Sequence, residues 1–184
     1  MPPKMSNGVN KTMDDILKTI KERRSIREFQ KKEIPEEIID KLIAALIWAP
    51  SAGNLQSRKF HFIFNQEIKE KLAKVALGQD FIAKAPLVVV GCTDDKISRL
   101  YGEQGRNLYS ICDVAASIEN MMLLSTELGL GTCWVGTFDE NEVSKILNLP
   151  NNLRPIAIIP VGYPAENPLA PPRVSKEKAV EFVK

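Results

Sequence analysis

Apolar residues recur at helical spacing in several stretches of the chain. The pattern predicts a first helix over residues 12–22, capped by Thr12. A second helix is predicted to follow Pro35, which suits the first turn of a helix, and to end where Pro50 interrupts the pattern. The longest helix is predicted over residues 107–128, and its broad apolar face places it in the core or at a contact between two chains.

Runs of β-branched and aromatic residues alternate with these helices. Strands are predicted at residues 60–64, 87–90, 132–136 and 156–161. The run at residues 87–90 is apolar throughout, which predicts a central strand with helices packed on both faces of the sheet. Further helices are predicted at residues 66–77 and, after a cap at Asp139, up to residue 147. A proline-containing segment, residues 164–172, is expected to run extended over a surface.

Length, charge and hydropathy narrow the class of protein. At 184 residues, 44% of them hydrophobic, the chain fits one domain over residues 1–184. A net charge of +2, from 25 basic and 23 acidic residues, leaves no large basic field for a nucleic acid. Because the start is polar and no apolar run approaches ~20 residues, we expect neither secretion nor membrane insertion, and hence a cytoplasmic protein.

The cysteine and histidine content disfavours several kinds of site. Cys92, Cys112 and Cys133 lie far apart among apolar neighbours, which predicts reduced, buried thiols and no metal site. His61 is the only histidine and stands in an aromatic strand, so a structural role is expected. No G-x-S-x-G or phosphate-loop motif is present, and the Gly129-Leu130-Gly131 pair lies between a helix and a strand in the wrong order for a dinucleotide fingerprint.

Carboxylates on the long helix leave acid-base chemistry open. Asp113 and Glu119 lie there, and either could serve as a proton donor or acceptor. Both are equally compatible with ion pairs that only support the structure.

The arginine run at residues 23–27 is the strongest chemical signal. Arg23, Arg24, Ser25 and Arg27 offer planar guanidinium forks and a hydroxyl, the donors that suit a phosphate, although a basic helix end in solvent would have the same composition. In an extended segment, alternation would direct Arg23, Ser25 and Arg27 to one side. A phosphorylated cofactor could therefore supply the chemistry that the side chains lack.

A polar loop, Pro50-Ser51-Ala52-Gly53-Asn54-Leu55-Gln56, follows the second predicted helix. The amides of Asn54 and Gln56 provide paired donors and acceptors that can bind the edge of a heterocycle or a ribityl hydroxyl. The loop is therefore a second candidate for cofactor binding.

The sequence resembles the nitroreductase family of FMN-dependent oxidoreductases over nearly its whole length. The resemblance rests on four motifs in order: the arginine run, the Pro50 to Gln56 loop, the segment Gly129-Leu130-Gly131-Thr132-Cys133-Trp134-Val135-Gly136, and Ile159-Pro160-Val161-Gly162-Tyr163-Pro164 with Arg173 beyond it. It implies an α+β three-layer sandwich, in which a mixed, mostly antiparallel central sheet is flanked by helices. It also implies a domain-swapped homodimer, with residues 164–184 packed on the partner subunit.

The resemblance also implies a shared FMN site. One chain would provide the phosphate grip of Arg23, Arg24, Ser25, Arg27 and Arg173, with Arg27 reaching toward the ring. The other chain would provide Pro50, Ser51, Ala52, Asn54 and Gln56. The backbone of Trp134, Val135 and Gly136 would lie along the flavin ring.

By the same resemblance, the flavin carries the chemistry and no side chain is catalytic. NAD(P)H would reduce the flavin, and a small acceptor such as a nitroaromatic or quinone would then take the electrons in a ping-pong reaction. Ser57 and Arg58 replace a Pro-Trp pair that is frequent in the family, residues 96–104 leave little material for a lid, and Tyr101 is a candidate pocket residue.

Other functions remain open from the sequence. Relatives of the fold perform reductive dehalogenation, flavin fragmentation or substrate dehydrogenation. The chain could also bind FMN without turnover, or carry its arginines as a surface patch for a partner protein.

Overall fold

The computed structural model describes residues 13–184. The predicted cap at Thr12 lies outside the described residues. The helices are α1 (Met13–Glu22), α2 (Glu36–Ile47), α3 (Gln66–Val75), α4 (Phe81–Lys84), α5 (Ser98–Gln104), α6 (Ser110–Glu127), α7 (Glu140–Ile146) and α8 (Lys176–Ala179). The strands are β1 (Arg58–Ile63), β2 (Leu87–Asp94), β3 (Gly131–Thr132) and β4 (Leu153–Gly162).

The four strands form one antiparallel sheet in the order β1-β2-β4-β3. Strand β2 is central, and side chains on its two faces enter two separate cores. Leu87 and Val89 pack with α2 and α6, whereas Val88 and Val90 pack with α3 and α7. Burial of both faces explains the continuous apolar run and confirms the predicted three-layer arrangement.

The predicted strand at residues 132–136 is wrong in extent. Strand β3 ends at Thr132, and only an isolated bridge between Val135 and Ile158 continues the pairing. Cys133 N–H donates to the carbonyl of Pro160 at 3.4 Å, but Pro160 has no N–H to return. The ladder is therefore interrupted where the partner strand carries proline.

The long helix also begins later than predicted. Residues Gly105–Tyr109 form a π-helical turn, and the regular helix α6 starts at Ser110. A Cβ at Gly105 would lie 2.7 Å from Cβ of Tyr101, so glycine permits the close approach of α5 to this turn. The short helices α4, α5 and α8 were not predicted, because four to seven residues are too few for helical periodicity to appear.

The predicted cap of α7 is present and gives a direct test of local stability. The Asp139 side chain accepts a hydrogen bond from the backbone N–H of Glu142 at 3.0 Å. We expect Asp139→Ala to lower the free energy of unfolding by about 1 kcal/mol, because an orphan helix donor loses its acceptor. Asp139→Asn keeps an acceptor and serves as the control in urea unfolding. An equal loss in both variants would show that the cap bond is not responsible.

Candidate functional site

The arginine run is held in place by strand β3. Ser25 forms a parallel bridge with Thr132, and the backbone N–H of Ile26 donates to the Thr132 carbonyl at 2.9 Å. The Ile26 side chain is buried and lies over Gly131. This pairing also supplies a parallel contact beside the antiparallel sheet. It fixes the register of the basic side chains that flank Ile26.

Four arginines converge on one cavity of about 290 Å³. Its lining residues are Arg23, Arg24, Ser25, Arg27, Pro168, Leu169, Pro171 and Arg173. The structure therefore brings together all five residues that were predicted for the phosphate grip, including Arg24, which simple alternation would have placed on the other side. A concentration of guanidinium groups around a hydroxyl suits an anion with several oxygens.

The arginines differ in how many of their donors are already used. Arg24 donates through Nη1 to the carbonyls of Lys21 and Arg23, both at 2.7 Å, so it binds the end of α1. Arg23 Nε lies 4.0 Å from a carboxylate oxygen of Glu119. The Arg27 guanidinium is 5.8 Å from the centre of the Phe81 ring and donates no hydrogen bond to another residue within 13–184. Arg23 and Arg27 therefore donate no side-chain hydrogen bond to another described residue, and only Arg24 has committed donors.

The start of the C-terminal tail is attached to the arginine run of the same chain. The Glu166 carboxylate accepts hydrogen bonds from the backbone N–H groups of Arg27 and Glu28, the latter at 3.1 Å. The N–H of Ala165 donates to the Glu28 carbonyl at 2.8 Å. These bonds hold the tail over the cavity. Sequence reasoning missed Glu166, which lies more than 130 residues from its partners.

A thiol lies buried behind the arginines. Burial raises the pKa of Cys133, and the nearby Arg27 and Ser25 offset only part of that rise. The Cys133 side chain is therefore a neutral thiol near pH 7.

Burial likewise raises the pKa of Cys92 to about 12. Burial, together with Lys59, lowers the pKa of His61, whose Nδ1 lies 3.8 Å from the Cys92 sulfur. A neutral thiol beside a neutral imidazole is a poor nucleophile.

The Pro50 to Gln56 loop has an unusual backbone. Gly53, Asn54 and Gln56 have φ values of +54°, +54° and +51°. Glycine adopts this region freely and asparagine tolerates it, whereas an ordinary L residue such as glutamine pays roughly 1–2 kcal/mol. The Ser51 hydroxyl accepts a hydrogen bond from the Gln56 N–H at 3.0 Å. Strain of this kind concentrates at functional sites.

Two side chains outside the loop contact its backbone. Arg58 donates through Nη2 to the Ile47 and Ala49 carbonyls at 3.0 and 2.7 Å, and through Nη1 to the Pro50 carbonyl at 2.8 Å. Asp113 accepts a hydrogen bond from the Ala52 N–H at 2.9 Å. The sequence placed Arg58 beside the loop without revealing these bonds. The sequence left Asp113 open as an acid-base candidate, and in the folded chain it binds the backbone of the loop.

The loop and the arginine run line different cavities of the single chain. Pro50, Ser51 and Ala52 border a cavity of about 310 Å³ with Cys112 and Asp113. Gln56 borders another, of about 340 Å³, with apolar residues of α2 and β1, while Asn54 is exposed. None of these residues lines the arginine cavity.

Cys112 and Tyr101 both lie near the loop. Cys112 was expected to be buried, but it is exposed in the single chain, because its position on α6 faces away from the sheet. A Cβ at Gly53 would lie 2.6 Å from the Tyr101 hydroxyl, so Tyr101 approaches the loop, and its role in a pocket stays a prediction.

The segment from Trp134 to Gly136 presents a mixed surface. Trp134 is 38% exposed and Val135 is buried. The Val135 N–H donates to the Ile158 carbonyl at 3.0 Å, so it is committed to the sheet. The N–H groups of Trp134 and Gly136 have no acceptor among residues 13–184, and these two remain able to bind a ligand.

Within residues 13–184 no group of three or more His, Cys, Asp or Glu side chains could hold a metal ion. In the same range, no helix is both long and apolar enough to cross a membrane. The arginine cavity has more charged lining residues than either cavity at the loop.

Comparison with known proteins identifies the family. The sequence model of the nitroreductase family matches residues 20–79 and 75–163. This chain belongs to the nitroreductase family. The resemblance and the α+β sandwich expected from it are thereby confirmed.

Individual known proteins are similar to this chain over most of their length. The putative NADH dehydrogenase/NAD(P)H nitroreductase of Methanothermobacter thermautotrophicus is 34% identical over 175 residues, which is 89% of this chain and 87% of that one. The FMN reductase [NAD(P)H] of Bacillus subtilis is 26% identical, covering 90% of this chain and 72% of that protein. The structure of the NADPH:FMN oxidoreductase of Vibrio harveyi complexed with NAD+ has a TM-score of 0.82 at 25% identity, covering 92% and 77%.

Proposed function

We propose that this nitroreductase-family protein is an FMN-dependent NAD(P)H oxidoreductase that reduces nitroaromatics, quinones or similar small acceptors by a ping-pong mechanism. Family membership and the similar FMN reductases support the oxidoreductase class. The observation that carries the proposal for this chain is the cavity lined by four arginines and Ser25.

That cavity fits the phosphate of FMN. Arg27 retains free guanidinium donors, and Ser25 adds a hydroxyl at the same wall. Charge-assisted bonds from arginine to phosphate are short and strong, which gives affinity without any covalent link. Arg23, Arg24 and Arg173 would add positive charge at the rim of the cavity.

The remaining residues would orient the ring rather than react. Ser51, Ala52, Asn54 and Gln56 would bind its polar edge, next to Pro50, and the N–H groups of Trp134 and Gly136 would face its centre, with Val135 fixing that backbone to β4. When bound, FMN would accept a hydride from NAD(P)H and supply electrons to the acceptor. No side chain of this chain needs to act as nucleophile, acid or base.

We further propose a homodimer in which each site takes residues from both chains. Within one chain, the loop and the arginines line separate cavities. This separation is expected if the loop of each chain completes the site that the arginines of its partner form. Apolar side chains also lie exposed along the molecule and its tail, including Ile47, Trp48, Phe182 and Val183 at 56%, 85%, 70% and 94%. Such surface is typical of an interface. Of the predicted tail, residues 164–184, the part up to Arg173 contacts its own chain, and residues 174–184 would pack on the partner. The protein would be cytoplasmic and organised as one domain.

An anaerobic reduction experiment tests the function. The purified protein should be yellow, lose its flavin absorbance when NADH or NADPH is added, and regain it when a quinone or nitroaromatic follows. A colour that persists with both donors would contradict the proposal and favour binding without turnover. Reduction without reoxidation by these acceptors would instead favour dehalogenation or another flavin reaction of the fold.

Added FMN should stabilise the apoprotein. At a free FMN concentration about 100 times Kd, we expect the free energy of unfolding to rise by about 2.7 kcal/mol, since the ligand binds only the folded state. Thermal melts with FMN and with riboflavin separate the phosphate contribution. No shift with FMN would indicate that the arginines form a surface patch for some other partner.

A further inference from the structure

The Pro50 to Gln56 loop needs support from outside itself. Its two residues with positive φ that are not glycine, Asn54 and Gln56, hold it in a conformation that the free chain would rarely sample. Within the loop, the Ser51 hydroxyl closes one turn by accepting from the Gln56 N–H. A flexible loop would have to be ordered by its ligand, and the ordering would subtract from the affinity.

Arg58 supplies support from the sheet. It is the first residue of β1, paired with Thr93 of the central strand, so its backbone is fixed. Its planar fork reaches carbonyl groups of three residues, Ile47, Ala49 and Pro50, at 2.7 to 3.0 Å. These carbonyls lie at the end of α2 and the start of the loop. A lysine carries all its donors on one nitrogen and lacks the rigid two-nitrogen fork that binds these carbonyls.

Asp113 supplies support from the central helix. It is 4% exposed, lies on α6, and binds the Ala52 N–H through Oδ1. Its Oδ2 is buried and has no hydrogen-bond partner in the described part of the chain. Arg58 is its neighbour: Nη1 lies 3.5 Å from the Asp113 backbone carbonyl, and the charge of Asp113 opposes the lowering of the Arg58 pKa by burial. The two anchors are therefore neighbours, and each binds the loop backbone.

On the basis of the proposed FMN function, we infer that Arg58 and Asp113 are positioning residues that hold the Pro50 to Gln56 loop in its cofactor-binding conformation before the cofactor arrives. They act through the loop backbone. Their loss would leave Asn54 and Gln56 present but poorly placed for binding. The affinity for FMN would therefore fall by more than the accompanying loss of fold stability explains.

Matched variants separate this role from general stability. The set is Arg58→Met, Arg58→Lys, Asp113→Leu and Asp113→Asn, with Arg154→Met as control. Arg154 makes two bonds to Glu140 on the surface and lines neither the loop cavities nor the arginine cavity. The Kd for FMN is measured by titrating each apoprotein, together with its melting temperature and the visible spectrum of the bound flavin.

We expect Arg58→Met and Asp113→Leu to raise Kd by roughly tenfold or more and to shift the flavin absorption bands. Asp113→Asn should recover most of the affinity, because its amide oxygen can still accept from Ala52. Arg58→Lys should recover little, since it retains the charge but not the fork. Arg154→Met should leave Kd within about twofold of wild type.

Hydrogen exchange on the wild-type apoprotein tests the ordering without any variant. The Ala52 N–H should be protected before FMN is added. Free exchange over residues 50–56 that becomes slow only with FMN would overturn the inference. So would wild-type Kd values in both Arg58→Met and Asp113→Leu, while the proposed function would stand. A wild-type protein that binds no FMN would instead overturn the proposed function itself.

Discussion

Replacing Arg27 with alanine should weaken FMN binding by roughly 10- to 150-fold. A desolvated charge-assisted hydrogen bond contributes about 1.5–3 kcal/mol, and each 1.4 kcal/mol is tenfold in affinity. The Arg27 guanidinium donates no hydrogen bond and forms no ion pair with another described residue, whereas Arg23 lies 4.0 Å from Glu119, so the Arg27 donors are available to a ligand. Quenching of flavin fluorescence during titration of the apoprotein measures the change.

Three comparisons make the Arg27 result specific. Arg27→Lys keeps the charge but not the fork and should bind FMN with intermediate affinity. Arg24→Ala should cost less than Arg27→Ala, since Arg24 already donates to the Lys21 and Arg23 carbonyls. Arg154→Ala removes a guanidinium that pairs with Glu140, away from the cavity, and should leave Kd unchanged. An unchanged Kd in Arg27→Ala would remove this residue from the site.

Parts of the fold were predictable because local sequence and burial coincide. Strand β2 is buried on both faces, so its apolar run could be read as a central strand without knowing its neighbours. Strand β3 could not be read correctly. Its length depends on Pro160 in the opposite strand, a residue almost 30 positions away that lacks the required N–H.

In the candidate site, too, contiguous motifs were predictable and contacts between distant residues were not. The arginine run and the polar loop are contiguous in sequence, and their donors identify them. The groups that hold them in place act across the chain: Asp113 binds Ala52 over 61 residues, and Glu166 binds the Arg27 backbone over 139. No periodicity or spacing connects such pairs, so only the folded chain reveals them.

The arginine cavity also depends on a close approach that the sequence does not show. A Cβ at Gly131 would lie 2.6 to 2.9 Å from Cγ1, Cβ and Cγ2 of Ile26. Cβ of Ile26 is attached directly to the backbone and cannot rotate away. Glycine at this position is therefore what lets the arginine run lie against β3.

Gly131→Val should lower the free energy of unfolding by about 3 kcal/mol, because added methyl groups overpack this contact. It should also weaken FMN binding, since Ile26 would be displaced between Ser25 and Arg27. Urea unfolding and FMN titration measure the two effects. Gly131→Ala should give a smaller loss of both.

A double-mutant cycle assigns the cause of that loss. Ile26→Ala removes the two γ carbons that a Cβ at Gly131 would meet, so Gly131→Ala should cost less in the Ile26→Ala background than in wild type. Strictly additive losses would mean that the two residues do not compete for this space. Coupling in FMN affinity as well as in stability would show that the packing of one glycine against one isoleucine sets the position of the arginines, and hence the shape of the anion cavity.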